Sequence, residues 1–344
     1  MLDLPQTMKA AVVRQIGGAD AVVTETDFPT PKLKPGEVIV KNSVGGLNFI
    51  DTYFRSGLYK METPFVSGQE GGGEIAAASP EAEAAGLAVG QRVVYMAPGS
   101  CAQYTAVPAA KCVPLPDGVD MDAAVACMVQ GLTAHYLVTS AHADLIKPGD
   151  GWMLIYSIGS GTCQWAAQMA KILGYKVIGT TSKSKLDIAK TVGCDELIVF
   201  DSAPGATYAN YESVDVIGKV MGITGGEGCK CVVDGVGLST YEISLECLAT
   251  RGIFISFGNA SGAVPAFPLL RLNKKSNFVT RPKLGDYVAS PSELASRTAD
   301  VFNWLKGGKL RISIDKTFTL DEVANAHMHI ESGKSKGKIL YRID

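Results

Sequence analysis

No C-x-x-C pair, no block of basic residues and no long apolar run occurs in these 344 residues, and each absence removes a class of protein. Without C-x-x-C, neither a zinc ribbon nor a thioredoxin-like motif is supported. The cysteines are scattered. Only Cys229 and Cys231 stand close together, inside the apolar run Cys229-Lys230-Cys231-Val232-Val233, and the expectation is buried strand thiols behaving as small hydrophobes. A net charge of −2 with no basic cluster leaves no electrostatic footprint for nucleic acid or an acidic membrane. No apolar run approaches the ~18 residues of a membrane span. The start, Met1-Leu2-Asp3-Leu4-Pro5-Gln6-Thr7-Met8, has neither a basic nor an apolar leader segment and does not read as a signal peptide. Cytoplasmic residence is therefore expected.

What is present is ordinary for a globular protein, 47% hydrophobic and 19% charged, and enough to bury a large core. The length favours two domains. Residues 8 to about 126 read as β-rich. Val38-Ile39-Val40-Lys41 follows the turn Pro35-Gly36-Glu37, and Gly90-Gln91 leads into Arg92-Val93-Val94-Tyr95. Closely recurring turns with little helical periodicity suggest a partly antiparallel, barrel-like domain. The Ala/Glu stretch Ala76 to Ala88 is expected to be a surface connection.

Beyond about residue 127 the pattern changes. The turn Pro148-Gly149-Asp150 precedes the apolar run Trp152 to Tyr156, then a small-residue loop, Ser157-Ile158-Gly159-Ser160-Gly161. A helix is predicted from Thr162 to Leu173, ended by Gly174. Strands follow at Lys176–Thr180, Leu197–Phe200, Cys231–Val233, Ile253–Ser256 and Phe278–Thr280. Helices are predicted at about Lys185–Val192, Glu212–Met221 and Thr240–Ala249. Repeated β-α-β units imply a parallel sheet covered by helices on both faces.

A strand, a glycine loop and a helix start form a dinucleotide site, because the helix amino terminus offers unpaired N–H groups and partial positive charge to a pyrophosphate. Gly159, Ser160, Gly161 and Thr162 occupy that place. Domains that select NAD usually end the second strand with Asp or Glu, which accepts from the ribose 2′-hydroxyl. Here the strand runs into Thr180-Thr181-Ser182-Lys183-Ser184-Lys185, with no carboxylate. Hydroxyls and ammonium groups suit a 2′-phosphate, so NADPH is the expected cofactor.

Gly46-Leu47-Asn48-Phe49-Ile50-Asp51-Thr52-Tyr53-Phe54-Arg55-Ser56-Gly57-Leu58-Tyr59 and Gln130-Gly131-Leu132-Thr133-Ala134-His135-Tyr136 resemble signatures of the zeta-crystallin-like quinone oxidoreductases, within the medium-chain dehydrogenase/reductase superfamily. Ser256-Phe257-Gly258-Asn259-Ala260-Ser261-Gly262-Ala263-Val264-Pro265 is similar to bacterial members, and the tail Gly333 to Lys338 also fits. The resemblance runs from about Met8 to the end. It implies an α/β protein with a mainly β, GroES-like catalytic domain (1–126 and 284–344), a Rossmann NADPH-binding domain (127–283), a cofactor cleft and a homodimer.

By resemblance, Asn48 and Tyr53 line the nicotinamide end, Tyr59 the substrate entrance, and Gln130 and Thr133 lie near the nicotinamide. Ser182 and Lys185 hold the 2′-phosphate, Phe200 flanks the adenine, and Phe257, Gly258 and Asn259 approach the nicotinamide from strand ends. By the same resemblance Lys334 is a further candidate phosphate contact. One departure stands out. The family loop A-A-G-G-V-G reads Ile158-Gly159-Ser160-Gly161-Thr162-Cys163 here, with Ser160 and Cys163 in place of glycines.

The zinc ligands of related alcohol dehydrogenases are missing. A cysteine expected within Gly46 to Phe49 is absent, and Gln69 stands where Gly68-Gln69-Glu70 should hold histidine. His135 is expected to pack or line a cleft, and His142, His327 and His329 to lie at the surface or an interface. Without a Lewis acid an alkoxide is hard to stabilise. A quinone needs none, since its reduction gives an aromatic hydroquinone. The expected reaction is zinc-independent quinone reduction. Tyr95-Met96-Ala97-Pro98-Gly99-Ser100 resembles the prostaglandin reductase branch and keeps an alkenal or enone reductase open. A non-catalytic crystallin-like or RNA-binding protein is the alternative from another class.

Overall fold

A computed structural model of the chain describes residues 4–201 and 210–344. The described residues fall into two compact units. One comprises Met1–Gln130, Val288–Gly308 and Ile312–Asp344, the other Gly131–Tyr287 and Lys309–Arg311.

The first unit is mainly antiparallel. Its strands are β1 (Thr7–Val13), β2 (Val22–Pro29), β3 (Glu37–Leu47), β4 (Phe65–Val66), β5 (Glu70–Ala78), β6 (Arg92–Met96), β7 (Tyr104–Pro108) and β8 (Cys112–Pro114). Among the described residues β1 pairs with β2 and β4 in a small sheet. A larger sheet is built around β3, which pairs with β5 on one side and with β7 along its first half. Gly36, at φ +75°, makes the turn that sends the chain into β3. β5 carries three consecutive glycines. A Cβ on Gly71 would lie 2.8 Å from the Tyr95 ring and one on Gly72 2.8 Å from Val125, so bare backbone lets β6 and a helix close over this strand. That helix is one of three in this stretch: α1 (Phe49–Ser56), α2 (Pro80–Ala84) and α3 (Met121–Ala126). Ala76 to Ala88 corrects the expected surface connection. Ala76 and Ala77 are buried members of β5, and Ser79 caps α2 by accepting from the Ala82 amide.

The second unit is a parallel α/β sheet. Its strands are β9 (Trp152–Ile155), β10 (Lys176–Ser182), β11 (Glu196–Phe200), β12 (Cys229–Asp234), β13 (Leu248–Ser256) and β14 (Phe278–Thr280). They lie in the order β11-β10-β9-β12-β13-β14, all parallel. This is the doubly wound order whose direction of progress reverses beside the first strand, where ligands of such sheets bind at the strands' carboxyl ends. The helices are α4 (Leu132–Thr139), α5 (Gly161–Ile172), α6 (Leu186–Thr191), α7 (Val216–Ile223), α8 (Tyr241–Glu246) and α9 (Leu284–Tyr287). Leu154, Ile178, Ile198, Val232 and Phe254 form the core from inside the sheet, each burial of this kind contributing roughly 1.5–3 kcal/mol. Cys229 and Cys231 are buried in β12 as expected.

Helix ends moved where local chemistry overrode periodicity. α7 starts at Val216 because Asp215 caps it, accepting from the Gly218 amide at 2.8 Å. α8 stops at Glu246 because Leu248 already pairs with Cys229 in the sheet.

The chain then returns to the first unit through α10 (Pro291–Lys306), β15 (Ile314–Thr319), α11 (Val323–Glu331) and β16 (Lys338–Arg342). β16 pairs antiparallel with the second half of β3, setting Ile339 opposite Leu47. His142 and His327 correct the surface expectation, being 2% and 0% exposed. His327 lies 3.2 Å from Arg55 Nη1, and burial first, then that positive charge, holds it down at about 3. His329 is partly buried against Asp315 at 2.6 Å. Among the described residues, no helix is long and apolar enough to cross a membrane.

Candidate functional site

The end of β3 is where the first unit gathers its polar groups. β3 lies between β5 and β16, so Gly46 faces Glu70 on one side and Leu47 faces Ile339 on the other. The next residue, Asn48, meets side chains from both neighbours. Its Nδ2 donates to Glu70 Oε1 at 2.7 Å, and its Oδ1 accepts from Lys338 Nζ at 2.9 Å. Lys338 also donates to the Leu47 carbonyl at 3.0 Å and to Glu70 Oε1. Glu70 and Lys338 are fully buried, a costly placement that is stable only when both charges are paired and hydrogen-bonded. Glu70 Oε2 accepts from the Val129 amide at 2.6 Å.

Val129 belongs to the π-turn Cys127–Gly131, an irregularity common at functional sites. Gln130 follows it, buried, its Oε1 without a hydrogen-bond partner. Asn48 also opens α1, where Asp51 Oδ2 accepts from the Asn48 amide at 2.7 Å. Burial lifts Asp51 to about 7, against the pull of that amide and of Lys338 and with the help of the Glu70 charge. Tyr53 lies one helical turn on. It is half-buried and packs edge-to-face on Tyr59, with ring centroids 5.3 Å apart. Lys334 is exposed after α11, its amide donating to Ser332 Oγ at 3.3 Å.

In the second unit the loop between β9 and α5 is built as a phosphate cradle. Ser157 adopts φ +57°, and its amide donates to Thr180 Oγ1 at 3.0 Å. The Ile158 amide donates to the Thr180 carbonyl, tying the loop to β10. Gly159 passes so close to the end of β10 and the turn after it that a Cβ there would lie 3.0 Å from Thr181 Oγ1 and 2.6 Å from Lys185 Cβ. Gly161 and Thr162 open α5, a helix of 12 residues whose first amides face outward from its start. Ser160 precedes them, and its hydroxyl donates to the Ser157 carbonyl at 2.7 Å, so the extra group is bonded inside the loop. Cys163 is buried, and burial pushes its thiol up to about 12. At the end of β10, Ser182 Oγ lies 3.0 Å from Ser184 Oγ, while Lys183 pairs with Asp201 at 2.5 Å.

Phe257, Gly258 and Asn259 leave β13 beside the turn that leaves β12. A Cβ on Gly235 would lie 2.7 Å from the Phe257 ring, and the Ala260 amide donates to the Gly235 carbonyl at 3.2 Å. Asp234 organises that turn. It accepts from the Val236 and Gly237 amides and from the Thr240 and Ser244 hydroxyls, while burial lifts its pKa. Arg281, the residue after β14, reaches back to the Ser256 and Gly258 carbonyls, at 3.1 and 3.0 Å. Thr133 is half-buried on α4.

Within the first unit Asn48 and the backbone beside Gln130 meet at one carboxylate, and Tyr53 packs with Tyr59. Within the second, Gly159 meets Lys185, and Phe257 and Gly258 meet the 235–237 turn. Phe200 joins neither group. It is 1% exposed in the core, packed edge-to-face on Tyr211 at 5.0 Å, which leaves no open ring face for an adenine. Glu70, Lys338, Asp51 and Asp234 were missed by sequence reasoning. Glu70 lies in the Gly68-Gln69-Glu70 segment, whose visible sequence signal is only the absent histidine. Among the described residues, no three His, Cys, Asp or Glu side chains gather in a way that could hold a metal ion.

Residues 34–147 match the alcohol dehydrogenase GroES-like domain, and residues 204–340 match the zinc-binding dehydrogenase family. The chain belongs to the medium-chain dehydrogenase/reductase superfamily. Its place there is among the quinone oxidoreductases: it is 36% identical over 325 residues to the quinone oxidoreductase of Pseudomonas aeruginosa, covering 93% of this chain and 95% of that relative. It is 33% identical to a 2-haloacrylate reductase of a Burkholderia species, covering 96% and 98%. Its fold matches the solved structure of Escherichia coli quinone oxidoreductase complexed with NADPH at a TM-score of 0.87, with 32% identity and coverage of 97% and 99%.

Proposed function

We propose that this chain is an NADPH-dependent, zinc-independent oxidoreductase that reduces quinones. The observation that carries the reading is the β9–α5 loop, where Lys185 lies against a glycine that admits no side chain, and where β10 ends in hydroxyls and runs into a turn with two lysines and no carboxylate. The residues fit the cofactor: Gly159, Ser160, Gly161 and Thr162 would hold its pyrophosphate, and Ser182 and Lys185 its 2′-phosphate. In the first unit Asn48, Tyr53 and Gln130 are the residues proposed for its nicotinamide end, with Tyr59 for the acceptor's entrance and Lys334 for a further phosphate; in the second unit Thr133, Phe257, Gly258 and Asn259 are proposed for the nicotinamide end. Bound there, NADPH supplies the reducing equivalents.

The chain's own residues bind, orient and exclude water. Backbone amides at the start of α5 bind phosphate by their partial positive charge. The Asn48 carboxamide, held at both ends, offers one remaining Nδ2–H and one Oδ1 lone pair to a polar ring substituent. The Tyr53 hydroxyl can give a proton to an acceptor oxygen. Relatives named as reductases favour an enzyme over a crystallin-like or RNA-binding protein. Fluorescence titration with NADPH and NADH, followed by turnover with a benzoquinone, tests the reading. Absence of NADPH binding overturns it.

A second reading has a specific support. The 2-haloacrylate reductase is as similar as several of the quinone oxidoreductases, and reduction of an activated C=C also needs no zinc. Steady-state rates with a quinone and an enone decide between them. The protein is further proposed to be a homodimer, with β14 at the sheet edge as the pairing surface, where Phe278 and Val279 are exposed. Light scattering of wild type and Phe278→Lys tests this, and a monomeric wild type refutes it.

A further inference from the structure

The carboxylate at the centre of the first unit's site has no role in the reading above beyond being paired. Its geometry gives it one. Glu70 Oε1 accepts from Asn48 Nδ2 at 2.7 Å, and Oε2 accepts from the Val129 amide at 2.6 Å. One side chain thus bridges the start of α1 and the π-turn that carries Gln130. Lys338 Nζ completes the arrangement by donating to Asn48 Oδ1 at 2.9 Å and to the same carboxylate. A carboxamide has an accepting and a donating end. Here an ammonium faces the first and a carboxylate the second, so turning the Asn48 amide over would set N–H against Nζ and oxygen against Oε1. Its orientation is therefore determined. Gly46 is what lets the carboxylate in, since a Cβ there would lie 2.7 Å from Glu70 Cγ.

We infer that Glu70 is a positioning residue for the reductase site, fixing through its two oxygens the Asn48 amide and the backbone before Gln130, with Lys338 as the buried cation that locks the amide's direction. The inference rests on the assignment of Asn48 to the nicotinamide end. It differs from a merely structural ion pair in what it requires: Glu70 acts on turnover through Asn48, not only on stability.

The test is a double-mutant cycle of Glu70→Gln and Asn48→Ala, reading kcat and KM for a benzoquinone, the NADPH dissociation constant, and hydrogen exchange of the segment containing Val129. Gln at position 70 offers one acceptor to donors that two oxygens now satisfy. Glu70→Gln is expected to lower kcat about tenfold, as for one lost charge-assisted bond, with the NADPH dissociation constant within about threefold. In the Asn48→Ala background the same change should cost less than about twofold further, because the amide it positions is gone. Exchange at Val129 should quicken in Glu70→Gln and not in Asn48→Ala. Should Glu70→Gln fold poorly, Glu70→Gln/Lys338→Met removes both charges together and enters the same cycle. Full kcat in a folded Glu70 variant beside an impaired Asn48→Ala overturns the inference, as does a cycle in which the two losses simply multiply. Full kcat in Asn48→Ala instead sinks the placement of the nicotinamide, and the inference with it.

Discussion

Replacing Asp51 with Asn is expected to stabilise this protein at pH 8 and to change little at pH 5. Asp51 is buried at the third position of α1, where burial is the largest influence and lifts its pKa from 3.8 to about 7. The Asn48 amide and Lys338 oppose the lift, Glu70 adds to it, and burial outweighs them. A carboxyl whose folded pKa is raised contributes stability that is complete below the unfolded value and lost as pH rises through the folded one. The window therefore runs from about pH 4 to about pH 7. At about 1.4 kcal/mol per unit the full loss is ~4 kcal/mol, of which ~2–3 kcal/mol falls between pH 5 and pH 8.

The wild type alone will not display this slope, because His327 opposes it. Its folded value of about 3 lies below the ordinary 6.5, so the unfolded chain takes the proton first and stability falls as pH drops through that range. Subtracting wild type from Asp51→Asn removes the histidine's share. The Asn carbonyl can still accept from the Asn48 amide, so the neutral carboxyl's bond is kept. Urea unfolding of both proteins at pH 5, 6.5 and 8 provides the comparison. A difference that stays flat across the three would refute the reasoning and mean that Asp51 titrates in its ordinary range.

The loop of the second unit yields three further expectations. Lys185→Ala should weaken NADPH about tenfold while leaving NADH nearly unchanged, read by fluorescence titration; equal losses would mean that Lys185 does not meet a 2′-phosphate. Ser160→Ala should cost ~0.5–1.5 kcal/mol in urea unfolding and leave NADPH affinity within about twofold, because its hydroxyl is bonded to the Ser157 carbonyl; a large affinity loss would show that the hydroxyl serves phosphate. Cys163, buried with its thiol pushed up to about 12, should resist alkylation in the native protein at pH 8, and rapid labelling followed by peptide mass mapping would contradict that burial.

Much of the second unit was legible because its elements are set by local pattern. Phe278–Thr280 came out as read, and Gly174, at φ +87°, follows the end of α5 where the glycine suggested. Misjudged ends trace to groups acting over a few residues, such as the Asp215 cap. The polar centre of the first unit was legible only in part. Asn48 could be singled out by its segment, but Glu70 and Lys338 are 268 residues apart, and only the flanking of β3 by β5 and β16 makes them neighbours. His327 and Phe200 misled for the same reason: a polar ring can be buried beside a guanidinium, and an aromatic at a strand end can turn inward.

The three glycines of β5 bear on how such a protein can change over time. A strand ordinarily tolerates drift among residues of similar shape, since one apolar side chain can stand in for another. At Gly71, Gly72 and Gly73 there is no such latitude, because the volume a methyl group would need is already filled by the Tyr95 ring, Val125 and the backbone of Lys41 and Asn42. Every single substitution there is an intrusion, so a saturation library should come back nearly empty at three adjacent strand positions. Lineages that altered this strand would have had to shrink its neighbours first. The residue immediately before the triplet, Glu70, thereby inherits a fixed frame, which gives chemistry at that position an unusually immobile evolutionary setting.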